Sequence, residues 1–169
     1  SGTDSLVDFS ANLNPLGPPE WLRPLISAHI SDLVHYPDPH CSALTQAVAD
    51  RFTTTPDQVL IGNGASELLH LLIRGLAKTR LVVPVPSYAD YDEVARLHAM
   101  HVTSLVLSEH NGFALELDAL EKCLSADRAA DTLVILGQPN NPTGTLLAVE
   151  ELRALVQRHP QTTFLIDES

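Results

Sequence analysis

The stretch Leu133-Val134-Ile135-Leu136-Gly137-Gln138-Pro139-Asn140-Asn141-Pro142-Thr143-Gly144 decides how the chain reads. Its first four residues are apolar without alternation, the pattern of a strand covered on both faces. A loop with two X-Pro bonds follows, and then a helical pattern from Ala148 to His159. The next apolar run is Phe164-Leu165-Ile166, closed by Asp167 and Glu168. Working back toward the N-terminus, Val102 to Leu107, Leu81-Val82-Val83-Pro84 and Val59-Leu60-Ile61-Gly62 read as three more strands. Amphipathic helical spacing fills the gaps at Ser66 to Ala77, Ala89 to Met100 and Leu117 to Leu124. Alternating strands and helices predict an α/β, three-layer, mostly parallel, doubly wound sheet.

Composition narrows the class. The chain has 169 residues, 44% of them hydrophobic, enough for one packed core. Its 21 acidic and 10 basic residues leave a net charge of -11, and the basic residues form no cluster. Such a field repels a polyphosphate backbone, so a nucleic-acid partner is not expected. No run approaches the roughly 18 apolar residues of a membrane helix, and the first residues do not form a signal peptide. Cys41 and Cys123 are too few and too far apart for a disulfide framework or a zinc site. A reducing, cytoplasmic compartment is expected. His98 and His101 have the spacing of metal ligands, but no carboxylate or Cys completes the set, so no metal is expected.

The first 58 residues hold seven of the twelve prolines and two short helical stretches, Glu20 to Ile30 and Ser42 to Phe52. Residues 1–40 read as an N-terminal arm with a first helix, and 41–169 as the N-terminal part of a larger domain.

In an open parallel sheet, ligands bind beyond the carboxyl ends of the strands. Four such ends carry unusual sequence. Gly62-Asn63-Gly64-Ala65-Ser66-Glu67 joins a strand to a helix, where backbone N–H groups and the helix dipole favour a phosphate. A Ser-capped helix with Glu67 in its first turn explains the same residues. Tyr88, just after a strand, can face a flat aromatic ligand; equally it can pack its loop while Ser87 caps the next helix. The 138–144 loop is stiffer than a connection requires, with at least one cis bond expected, which favours an Asn141 amide aimed at a ligand oxygen over a tight turn with Asn and Gly chosen for their dihedrals. Asp167 closes an apolar strand and needs a partner, a protonated ring nitrogen being a suitable one; equally it can cap a loop, pair with an Arg or bind magnesium.

In this order the segments resemble the first half of a fold-type I pyridoxal-phosphate enzyme of the aminotransferase class. The resemblance rests on Asn140-Asn141-Pro142-Thr143-Gly144 and Asp167-Glu168. Asp8-Phe9-Ser10-Ala11-Asn12-Leu13-Asn14-Pro15-Leu16-Gly17-Pro18-Pro19 and His35-Tyr36-Pro37-Asp38-Pro39 narrow it. They are similar to the branch holding threonine-phosphate decarboxylases and histidinol-phosphate aminotransferases, with the N-terminal run closer to the former. The resemblance implies pyridoxal 5'-phosphate as cofactor. Gly64, Ala65 and Ser66 would hold its phosphate, Tyr88 would stack on the ring, and Asn141 would reach the 3-oxygen. Asp167 would pair with the ring nitrogen as the one catalytic residue of this segment. Asn14, Gly17 and Asn141 would lie near a phosphorylated amino acid substrate. Tyr36 would reach the cofactor phosphate of a second subunit, making a homodimer.

The family's cofactor-bonding lysine and its carboxylate-binding arginine lie beyond the Asp-Glu strand. Lys78 and Lys122 are not placed for the first role. The chain is therefore expected to be an N-terminal portion, inactive alone, that lacks further sheet strands and a small C-terminal domain. A phosphate-binding scaffold without chemistry is the alternative from a different class. A nucleotide-binding Rossmann-like domain is disfavoured, because its fingerprint is missing after the first strand.

Overall fold

The structure, a computed structural model, describes residues 13–124 and 129–169. Four strands form one parallel sheet: β1 (Arg80–Val85), β2 (His101–Val106), β3 (Thr132–Gly137) and β4 (Thr163–Asp167), in spatial order β2-β1-β3-β4. The helices are α1 (Leu22–His29), α2 (Ser42–Phe52), α3 (Gly64–Leu76), α4 (Ala89–Leu97), α5 (Leu117–Leu124) and α6 (Val149–Arg158).

The period-2 pleat turns each continuous apolar run into two core surfaces. Leu81, Val83, Leu133 and Ile135 face one way and meet Leu69 and Ile73 of α3 with Tyr91, Val94 and Ala95 of α4. Val82, Val134 and Leu136 face the other way and meet Leu120 and Leu124 of α5 with Leu155 of α6. Both faces are covered, so the three layers expected from the sequence are present. Burial of each such side chain contributes roughly 1.5–3 kcal/mol.

From β1 the chain runs through α4 to β2 on one side, then crosses back to β3 on the other. The connections after β1 and β3 therefore lead to helices on opposite faces, α4 and α6, and in such sheets ligands bind at the carboxyl end where the order reverses.

The expected strand Val59-Leu60-Ile61-Gly62 is not formed. Val59 has extended backbone angles (φ -116°, ψ 124°), yet the segment pairs with no strand among the described residues. Apolar composition sets a preference for burial, whereas a strand exists only with a hydrogen-bonded neighbour. The helices start and stop within a few residues of the sequence reading, save that α3 begins at Gly64 and the first helix continues as a 3-10 turn, Ile30–Val34.

The N-terminal region carries little core of its own. No residue of α1 is buried, and α2 buries only Ala49. Leu25, Ile26, Ile30, Leu33 and Val34 are exposed. No helix among the described residues is long and apolar enough to cross a membrane.

Leu133 is fully buried at the centre of the sheet. Leu133→Ala is expected to lower the stability of the full-length protein by about 2–5 kcal/mol in urea unfolding. The exposed control Leu97→Ala should change it by no more than about 0.5 kcal/mol.

Candidate functional site

At the carboxyl end of the sheet lies a cavity of about 200 Å³. Ala65 and Ser66 form one side, Tyr88 another, and Asp167, Glu168 and Ser169 a third, over an apolar floor that includes Leu68, Leu165 and Ile166. The segments that follow β1 and β4 thus meet the N-terminus of α3 in one place.

The first side is the N-terminus of α3. Gly64 opens the helix at φ +85°, a conformation that L side chains rarely adopt, so the sharp turn requires glycine. The first N–H groups of a helix lack intrahelical acceptors and carry the positive end of its dipole. Ser66 is the third residue of α3 and not its cap, and Asn63 at the cap position makes no side-chain cap bond. The Glu67 carboxylate instead folds back to accept from the Asn63 N–H. The Ser-capped-helix reading is not what the structure holds, and Ser87 likewise makes no cap for α4, whose cap position is Tyr88.

Asp167 is the electrostatic centre. Its Oδ2 accepts from the Tyr91 hydroxyl at 2.7 Å. Its Oδ1 accepts from the Ser169 N–H at 3.0 Å and from the Ser169 hydroxyl at 2.5 Å. Partial burial pushes the carboxyl up, but the bonds from Ser169 and Tyr91 outweigh it and hold the group below the ordinary aspartate value of 3.8. The charge is therefore present at neutral pH. Tyr91 responds in the opposite sense: burial first, then the bond to Asp167, push its phenol above the ordinary range. Tyr88 is raised chiefly by its side-chain bond to Asp90, against an opposing bond to Ser66. The Tyr88 and Tyr91 rings meet edge to face, with centroids 5.6 Å apart.

The 138–145 loop is pinned by Asn140, which is only 7% exposed. Its side-chain N–H groups donate to the Pro86 carbonyl at 3.0 Å and the Thr143 hydroxyl at 2.7 Å. Gln138 holds the other end, donating to the Leu147 carbonyl and accepting from its N–H. The Gln138-Pro139 and Asn141-Pro142 bonds are both cis, as is Val85-Pro86.

Not every expected residue reaches the cavity. Asn141 is exposed and outside the cavity lining, next to the buried Asn140. Asn14 and Gly17 close an exposed turn, with the Gly17 N–H donating to the Asn14 carbonyl at 3.1 Å. Tyr36 is fully exposed. Asp8 to Asn12 lie outside the described residues. Lys78 donates to the Ala130 carbonyl at the amino end of the sheet, opposite the cavity. Tyr91 and Ser169 were missed by the sequence reading. Tyr91 sits on the apolar face of a helix, where a Tyr reads as core. Only a polar partner for its hydroxyl, a general need of buried Tyr, could have hinted at its second role.

Over residues 4–169 the sequence matches the family described as Aminotransferase class I and II. The chain belongs to this family. It is 38% identical over 164 residues to the adenosylcobalamin biosynthesis bifunctional protein CobDQ of Leptospira interrogans, covering 97% of this chain and 19% of that protein. It is 33% identical over 155 residues to the threonine-phosphate decarboxylase of Salmonella typhimurium, covering 92% and 42%. Among solved structures, the histidinol-phosphate aminotransferase of Sinorhizobium meliloti in complex with pyridoxal-5'-phosphate aligns with a TM-score of 0.82 at 26% identity, covering 94% of this chain and 42% of that one. The chain thus spans less than half the length of these relatives.

The depressed pKa of Asp167 has a testable sign. A carboxyl held below its unfolded value adds stability above about pH 3.8, and that stability is lost as pH falls through the folded value. The stability difference between wild type and Asp167→Asn, measured by denaturant titration, should be constant near neutrality and shrink below about pH 3.8.

Proposed function

We propose that the cavity binds pyridoxal 5'-phosphate, the cofactor of this family, in an enzyme that acts on a phosphorylated amino acid or amine. The observation that carries this reading is the meeting of an ionised carboxylate, an aromatic ring and a glycine-opened helix N-terminus around one cavity. The donor set fits the group: N–H groups for a phosphate, an apolar floor for a flat ring, and an anion for a ring nitrogen.

In this proposal the Ala65 and Ser66 amides hold the phosphate, and Gly64 permits the turn that exposes them. Tyr88 stacks on the ring, and Asn141 serves the 3-oxygen. Asp167 keeps the ring nitrogen protonated. When bound, the cofactor supplies an electron sink for charge that develops at the substrate α-carbon. Asn14 and Gly17 serve the substrate side.

A homodimer belongs to the same reading. The exposed apolar residues of the N-terminal region suit burial against a second copy, with Tyr36 contributed across the interface. Asp38 stiffens the segment behind Tyr36, accepting from the His40 N–H at 2.9 Å and the Ser42 N–H at 2.7 Å.

Of the reactions open to such an enzyme, decarboxylation of O-phosphothreonine to aminopropanol phosphate is preferred. The sequence similarity to CobDQ and to a threonine-phosphate decarboxylase supports it. Full-length protein with the cofactor should release carbon dioxide from O-phosphothreonine. Transamination of histidinol phosphate without that release would replace decarboxylase with aminotransferase. Cofactor binding with neither activity would leave a binding scaffold.

A further inference from the structure

Tyr91 sits where no ligand contact is assigned, yet its surroundings connect two walls of the site. The side chain is 3% exposed, on α4, within the core that joins α3, α4 and the sheet. Its hydroxyl reaches across the sheet end to Asp167 Oδ2 at 2.7 Å, while its ring meets Tyr88 edge to face. The path to Asp167 passes Gly137, the register partner of Asp167 on β3. A Cβ at Gly137 would stand 3.4 Å from the Tyr91 hydroxyl, 3.2 Å from Asn140 Cα and 3.3 Å from the Pro139 carbonyl oxygen. Glycine there relieves crowding with the 138–145 loop, whose Pro139 and Asn140 backbone stands next to the hydroxyl.

The acceptor count at Asp167 gives this contact a consequence. Each carboxylate oxygen offers about two lone pairs. Oδ1 already accepts twice from Ser169, whereas Oδ2 accepts once, from Tyr91. The position left for a further donor is therefore on the oxygen that Tyr91 holds.

We infer that Tyr91 is a positioning residue for Asp167, its hydroxyl fixing the orientation of the carboxylate that pairs with the cofactor ring nitrogen. This rests on the cofactor reading above. Tyr91 is not among the residues that line the cavity; it acts through Asp167, and its ring contact with Tyr88 aligns the second wall from the same point.

The test compares the dissociation constants of two probes on full-length protein by fluorescence quenching: pyridoxal 5'-phosphate and its 1-deaza analogue, in which a C–H replaces the ring nitrogen. Tyr91→Phe keeps the buried ring and removes only the hydroxyl. It is expected to weaken the natural cofactor about tenfold, the worth of one hydrogen bond to a charged group, and to leave the analogue unchanged. Equal weakening of both probes would mean that Tyr91 is merely structural, and would overturn the inference. So would an unchanged affinity for both, when wild type still prefers the natural cofactor; the cofactor reading would survive that result. A wild type that binds neither probe, or both equally, would overturn the Asp167 pairing itself and this inference with it. Carboxyl NMR titration of Asp167 in the unliganded protein needs no ligand: its midpoint should rise in Tyr91→Phe, and an unmoved midpoint would overturn the inference. If the Phe variant does not fold, fluorotyrosine incorporated at position 91 keeps the shape and sharpens the donor, and should lower that midpoint; no change would count against Tyr91.

Discussion

An anionic side chain at the end of an apolar strand has to be solvated by the protein around it, because burial without partners would neutralise it. Asp167 meets this constraint with donors from two directions, Tyr91 from α4 and Ser169 from the chain just beyond β4. Much of the local architecture follows from that requirement. Tyr91 has to be buried to reach the carboxylate, α4 has to pack on the sheet, and a side chain at Gly137 would crowd the backbone of Pro139 and Asn140 beside them. The same helix begins just after Tyr88, so the aromatic wall and the carboxylate share one support.

The fold makes this possible through its parallel order. Because β1, β3 and β4 run the same way, the segments that follow them open on one edge. The spatial order β2-β1-β3-β4 then separates the connections after β1 and β3. Helices on both faces cover the two central strands, β1 and β3. Lys78 illustrates the other end: it is committed to the Ala130 carbonyl, far from the carboxylate in the topology of the sheet.

Much of this was legible in the residues. The continuous apolar runs at Leu81–Val83 and Leu133–Leu136 announced strands covered on both sides, and their polar termini marked where a ligand would lie. Ala65, Ser66, Tyr88 and Asp167 were each singled out from strand-end position and do line one cavity. The apolar run at Val59 misled, since its composition resembles that of the true strands while the segment pairs with no strand among the described residues. The two adjacent asparagines could not be told apart by type: Asn140 turns inward to hold Pro86, and Asn141 stays in solvent.

The sequence by itself determined the alternation of elements, the amphipathic faces and the chemical character of each strand end, because these depend on local periodicity and residue type. Only the tertiary structure decided which strands found partners, which asparagine became the anchor, and that a core tyrosine 76 residues away in sequence would hold the carboxylate. Those outcomes depend on distances between segments remote along the chain, and the pattern of any one segment carries no record of them.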